Sequence, residues 1–237
     1  MMGNQLSLNE YYILYVDILG YKNKMDSIKN SPEEQAKFLS EINDIVQDCY
    51  KKEDEQRKGN SPIKVKVFSD NIIFAIKVLS SSNYKNNKNV ERLCSIASRM
   101  QEMFLKRHNI LFRGCITRGQ LYINDQFVFG QGIIDAYLLE NNIALYPRII
   151  IDKKIEHEPY IENSKHRIDS ELLDDDYKFI NFLCYYIPSE GYTSNRNIHD
   201  LELIVLSLIN NTSDTRALQK IKWVYRYIKN FIAKYNL

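Results

Sequence analysis

The run Tyr11–Leu19, YYILYVDIL, constrains this chain more than any other segment. Its aromatic and β-branched residues predict a strand, and all of them favour burial. Asp17 nevertheless sits inside it. A buried carboxylate without a partner is costly, so the fold must bring Asp17 a metal ion, a core arginine or a backbone amide. A second acid is placed in the same unusual way. IKVKVF and NIIFAIKV read as two short strands separated only by Ser69-Asp70, a tight hairpin with Asp70 at its bend.

The rest of the chain supplies a frame for these two residues. With 237 residues, 44% of them hydrophobic and 26% charged, it is long enough for one large domain and short for two independent cores. A formal charge of +2 provides no broad field for a nucleic acid or an anionic membrane, so any anion site must be local. Cys49, Cys94, Cys115 and Cys184 lie far apart in apolar surroundings without a CxxC pair, as buried thiols do. The N-terminal segment lacks a basic region followed by an uninterrupted apolar stretch, and no window approaches about 18 apolar residues. The expectation is a cytoplasmic protein with no membrane insertion and no nucleic-acid partner.

Periodicity orders the elements. A helix is expected over Pro32–Lys51, and KKEDEQRKGNSP reads as a solvated loop. After the hairpin, SSSNYKNNKN reads as another loop, and Val90–Arg107 as an amphipathic helix. ILFRGCIT returns as a strand, with Gly119-Gln120 turning it into LYINDQFVF. Gly130-Gln131-Gly132 opens a helix through Glu140, YPRIIID is another strand, and two helical segments follow from about Asp200. Strand, helix, strand, strand, helix, strand is the βαββαβ pattern, so the fold class expected is α+β with a ferredoxin-like sheet and extra C-terminal helices. In such a sheet the first strand lies beside the hairpin. Asp17 and Asp70 then meet at one edge, where paired carboxylates suit Mg²⁺ or Mn²⁺ and in-line phosphoryl transfer. The structural alternatives are that Asp70 is a turn residue and that Asp17 pairs with an arginine or an amide.

Other chemistries lack their residues. GCITRGQL has P-loop-like spacing but Gln120 in place of lysine, and GQGIID lacks the third glycine of a dinucleotide fingerprint. His108, His157, His166 and His199 form no HxxxH pattern, and there is no GxSxG elbow.

YVDILGY resembles the first metal-binding segment of class III nucleotidyl cyclases, FxDIxGF, and KVKVFSDNIIFAI resembles their second, KxxGD followed by a hydrophobic strand. FRGCITRGQL resembles their RxGIxxG strand. FGQGIIDAYLLE resembles their WGxxVNxAxRLE helix, with Gly130, Ala136, Leu139 and Glu140 in register. Within that superfamily, RGxxxxG, AYxLE, YPRIIID and DDDYKFINF are most similar to the pyrimidine nucleotide cyclases of Pycsar anti-phage defence. The resemblance spans roughly residues 11–185, which implies a cyclase domain over 8–185 and a helical extension over 186–237 packed on it.

The resemblance implies roles residue by residue. Asp17 and Asp70, with the Ile18 carbonyl, would hold two Mg²⁺ or Mn²⁺ ions, and the Leu19-Gly20-Tyr21 turn would meet a triphosphate. Arg113 would contact phosphate oxygens and Lys66 the base, although Lys66 reads equally as a solvated strand residue and Arg113 as a core-edge arginine paired to a carboxylate. The asparagine and arginine that purine cyclases carry on the last motif helix are replaced by Ile134 and Leu138, and an acid of their adenine pocket by Phe127. Arg118 and Arg148 are the expected replacement cations, with Asp135 a further polar candidate. The implied reaction converts UTP or CTP to a 3′,5′-cyclic monophosphate and pyrophosphate in a homodimer, the product acting on a downstream cyclic-nucleotide effector. A divergent purine cyclase and an inactive nucleotide-binding module are the alternatives.

Overall fold

The computed structural model describes residues 7–55, 61–80, 82–165, 167–169, 176–187 and 197–237. The expected central strand is β1 (Asn9–Ile18), with Tyr11 to Val16 all buried. Both its faces are covered, which is why the run is continuously apolar rather than alternating. It pairs antiparallel with β3 (Asn71–Lys77) on one side and β4 (Phe112–Ile123) on the other. β2 (Ile63–Phe68) closes the hairpin with β3 through Ser69, whose φ of 53° lies in the left-handed region.

These four strands, in the order β2-β3-β1-β4, form the ferredoxin-like arrangement expected from the βαββαβ pattern. The sheet continues through β6 (Ile149–Ile151), parallel to β4, then β8 (Phe179–Ile180) and β7 (Ile168–Asp169), while β5 (Val128–Phe129) pairs back onto β4. The sequence reading placed a turn at Gly119-Gln120, whereas β4 runs unbroken to Ile123 and the chain reverses at Asn124–Phe127. Gly119 serves close packing instead. A Cβ there would lie 2.7 Å from the Gly132 Cα, so the pair lets α4 (Gln131–Asn142) approach the strand.

One face of the sheet is covered by α2 (Pro32–Glu55) and α3 (Asn83–His108), with Ile42, Ile45, Leu93 and Ile96 against the even-numbered residues of β1. α3 starts well before the expected Val90, inside the stretch read as a loop. The Ser82 side chain caps it by accepting from the Lys85 amide, and the Asn86 amide group bonds both the N–H and the C=O of Leu79. Those bonds outweigh the weak helix propensity of asparagine. α2 likewise continues into the charged run, where Asp54 pairs with the buried Arg92 at 2.8 Å. Residues 56–60 of that run lie outside the described residues. A short helix not anticipated from periodicity, α1 (Tyr21–Ile28), follows β1, and α5 (Pro159–Asn163) follows β6.

The opposite face carries α4, α6 (Ile198–Asn211) and α7 (Thr215–Tyr235) against Tyr11, Ile13, Tyr15 and Cys115. α7 buries Ile221, Trp223, Val224, Tyr227, Ile228 and Phe231, a stripe at helical spacing. Trp223 stacks on Tyr146 at 5.8 Å and meets Phe179 edge-on at 6.0 Å, while the Tyr227 hydroxyl donates to Asn181 Oδ1 at 2.6 Å. Among the described residues no helix is long and apolar enough to cross a membrane. Cys49, Cys94 and Cys115 are buried free thiols, and Cys184 is partly buried.

Candidate active site

Strand parity decides where the acids point. The Asp17 Cα pairs with Asn71 across one ladder and Arg113 across the other, so all three side chains emerge on the face covered by α4, α6 and α7. Asp70, one residue before Asn71, is tied to the end of β1 because its carbonyl accepts from the Ile18 amide at 2.8 Å. Asp17 and Asp70 thus lie at the same end of neighbouring strands. The Asn71 side-chain amide donates to Asp70 Oδ1 at 2.9 Å, and the Tyr15 hydroxyl bonds Asn71 Oδ1. Burial first, and then the charges of Glu140, Asp17 and Asp70, push the Tyr15 phenol well above its ordinary range, so it stays a neutral donor.

Arg113 joins the acids from the side. Its Nε lies 3.0 Å from Asp17 Oδ2 and 2.6 Å from Glu140 Oε1, the second contact being an ion pair without hydrogen-bond alignment. Glu140 comes from α4, on the stripe Gly132, Ala136, Glu140 that faces the sheet. Its carboxyl is pushed up to about 7, chiefly by burial, with Arg113 opposing and Asp17 adding to the rise. Arg113 is thus the carboxylate-paired arginine of the structural alternative.

The turn after β1 is open. Gly20 has φ +80°, nothing lies within 4 Å of where its Cβ would be, and no side chain caps the start of α1. Ile18, Leu19, Gly20 and Tyr21 line a cavity of about 240 Å³ together with Lys24, Glu41 and His108. Uncapped amides at a helix start, beside a lysine, favour an anion.

Lys66 pairs with Ile73, which pairs with Tyr15, so it shares the Asp17 face two strands away. Its amine bonds the Asp125 carbonyl, and Lys64 Nζ bonds the Ile123 carbonyl at 2.6 Å. These bonds draw the β4–β5 turn over β2 and bring Phe127, 60% exposed at the tip of that turn, into the neighbourhood of Lys66.

Two expected cations are elsewhere. Arg118 is five positions beyond Arg113, an odd step that turns it to the opposite face about 17 Å along the strand. There it grips Glu10 through two 2.9 Å bonds and approaches Glu158 at 3.5 Å. Arg148 is 1% exposed and lies over the Phe179 ring, a core position closed to substrate within this chain. Asp135 is engaged by Lys154 and Gln131, and Ile134 and Leu138 are half-exposed on α4. The sequence reading gave no role to Tyr15 or Asn71 and noted Glu140 only as a motif match. Position two before Asp17 and position one after Asp70 were the available signals.

Asp17, Asp70 and the Ile18 carbonyl are oxygen donors of the kind a hard divalent cation takes, and among the described residues no group of three or more His, Cys, Asp or Glu is gathered to hold one. Mg²⁺ takes one or two carboxylates and completes its shell with water and substrate phosphate. The Gly20 cavity is walled by Phe38 and Glu41 of α2 and His108 of α3, on the face away from the Asp17 side chain. The fold is similar to that of solved class III cyclase domains. The guanylyl cyclase domain of the RhoGC fusion protein from the aquatic fungus Blastocladiella emersonii, in a monomeric double-mutant form, superposes with TM-score 0.51 and 15% identity. That match covers 73% of this chain and 97% of the fungal one. A dimeric form of the same fungal domain gives TM-score 0.50 and 15% identity over 73% and 96%. Identity at this level speaks for the fold. No family model and no curated protein matches the sequence.

Proposed function

We propose that this protein is a nucleotide cyclase that converts a pyrimidine nucleoside triphosphate, UTP or CTP, to its 3′,5′-cyclic monophosphate and pyrophosphate. The observation that supports this reading is that Asp17 near the end of β1 and Asp70 at the β2–β3 bend lie at the same end of neighbouring strands, where the Asp70 carbonyl accepts from the Ile18 amide. Two bound Mg²⁺ or Mn²⁺ ions would supply charge neutralisation and a lowered pKa for the ribose 3′-hydroxyl. The chain's own residues hold and orient. The Leu19-Gly20-Tyr21 amides and Lys24 receive phosphate oxygens, and Arg113 supports Asp17 while offering its remaining donors to the triphosphate. Tyr15 and Asn71 hold the Asp70 carboxylate toward the site.

Pyrimidine preference is supported by Phe127 in place of a purine-reading acid and by apolar Ile134 and Leu138 on α4. Lys66, beside Phe127, is the base-reading candidate. A homodimer, with the exposed side chains of α4 and the β4–β5 turn completing a partner's site, suits that arrangement. By the same resemblance, the product would be a second messenger of anti-phage immunity made in the cytoplasm.

The test is incubation with ATP, GTP, CTP or UTP and Mn²⁺, followed by mass spectrometry. Cyclic UMP or CMP is expected. Cyclic AMP or GMP instead would support the purine alternative, and no cyclic product from any of the four would sink the cyclase reading.

A further inference from the structure

We infer that Lys220, carried by α7, is a phosphate-binding residue of this site, so that the C-terminal helix pair forms part of the catalytic machinery. This rests on the cyclase reading for its substrate and on separate observations for its place. Backbone bonds link Gly114, the residue after Arg113, to the ring that seats α7. The Gly114 amide donates to the Arg148 carbonyl at 3.0 Å, the Arg148 amide to the Tyr146 carbonyl at 2.7 Å, and the Tyr146 ring stacks on Trp223. Lys220 lies three residues before Trp223 and four before Val224, on the stripe that faces the sheet. The charged groups within its electrostatic reach are Arg113, Asp17, Glu140 and Asp214.

Lys220 is half-buried, yet its amine makes no hydrogen bond or ion pair among the described residues. Arg113 is already committed to Asp17 and Glu140, and Asp214 to the Ala217 amide at 2.7 Å. α4 offers only Ile134 and Leu138 at the positions where a cation is missing. A partly desolvated amine held near carboxylates and outside contact distance of them is placed to meet an anion that enters between. Burial, followed by the Arg113 charge, depresses its affinity for a proton, consistent with a group that gains by receiving a phosphate oxygen. Helix α7 is held by Trp223, Tyr227 and Phe231, so the lysine is delivered on a rigid element.

The competing account is a lysine whose stem covers apolar surface and whose charge does nothing. Lys220→Met keeps the stem and removes the charge, and Lys220→Arg keeps the charge. Binding of magnesium pyrophosphate to the full chain is measured by calorimetry, with product kinetics alongside. Lys220→Met is expected to weaken pyrophosphate binding roughly tenfold or more, and Lys220→Arg to restore most of it. The melting temperature of Lys220→Met should stay at the wild-type value. Equal binding by wild type and Lys220→Met, or no binding by wild type, overturns the proposal. So does an unchanged KM and kcat in Lys220→Met. Lysine-dependent pyrophosphate binding without cyclic product from any nucleotide leaves Lys220 in place and removes the cyclase reading.

Discussion

Asp17 on β1 and Arg113 on β4 face each other across the antiparallel ladder, and the Arg113 guanidinium also reaches Glu140 on α4. One arginine thereby answers an acid at a strand end and an acid buried under a helix. The pairing accounts for how a strand otherwise built for burial tolerates Asp17.

Replacement of either metal-position acid separates chemistry from folding. Asp17→Asn and Asp70→Asn are each expected to lower cyclic-product formation at least about 10²-fold, because charge neutralisation carries the rate. Stability in urea should fall by only about 1–2 kcal/mol, since Glu140 still answers Arg113. Product that persists in both variants would refute the metal assignment.

Glu140 makes stability depend on pH in a stated direction. Its folded pKa of about 7 lies above the ordinary 4.5, so the folded protein binds the extra proton between those values. The contribution is fully present below about pH 4.5 and is lost as pH rises through about 7. Glu140→Gln, neutral and nearly isosteric, is expected to flatten that decline in urea melts recorded from pH 5 to pH 8. An equally steep decline in the variant would show that another group titrates.

Two glycines should fail differently. Gly119→Ala forces a Cβ to 2.7 Å from the Gly132 backbone, which neither strand nor helix can yield cheaply, and a loss of about 1–3 kcal/mol is expected. Gly20→Ala meets open space and bears only the left-handed strain, about 1 kcal/mol. Thermal melts of the two variants in one buffer provide the comparison.

Trp223 anchors α7 between Tyr146 and Phe179. Trp223→Ala is expected to cost about 3–5 kcal/mol, read from the denaturant midpoint. If Lys220 acts as inferred, the same variant weakens magnesium pyrophosphate binding under conditions where it remains folded.

What the sequence determined by itself is the order β1, α2, β2, β3, α3, β4 and the two acids. Both are local signals: hydrophobic period reports which segments are buried, and a carboxylate among apolar neighbours breaks that pattern visibly. Helix starts were less legible, because Ser82 caps the Lys85 amide and Asn86 bonds Leu79 in the preceding loop, contacts that periodicity does not register. Where the three arginines lie was decided only by tertiary structure. Arg113, Arg118 and Arg148 look alike as residues, but strand parity sends Arg113 to Asp17 and Arg118 to Glu10, and packing buries Arg148 over the Phe179 ring. Glu140 reaches Arg113, and Lys220 approaches the same group of charges, from helices distant in the chain. Their positions depend on how α4 and α7 dock, which is a property of complementary surfaces and leaves no trace in the residues beside them.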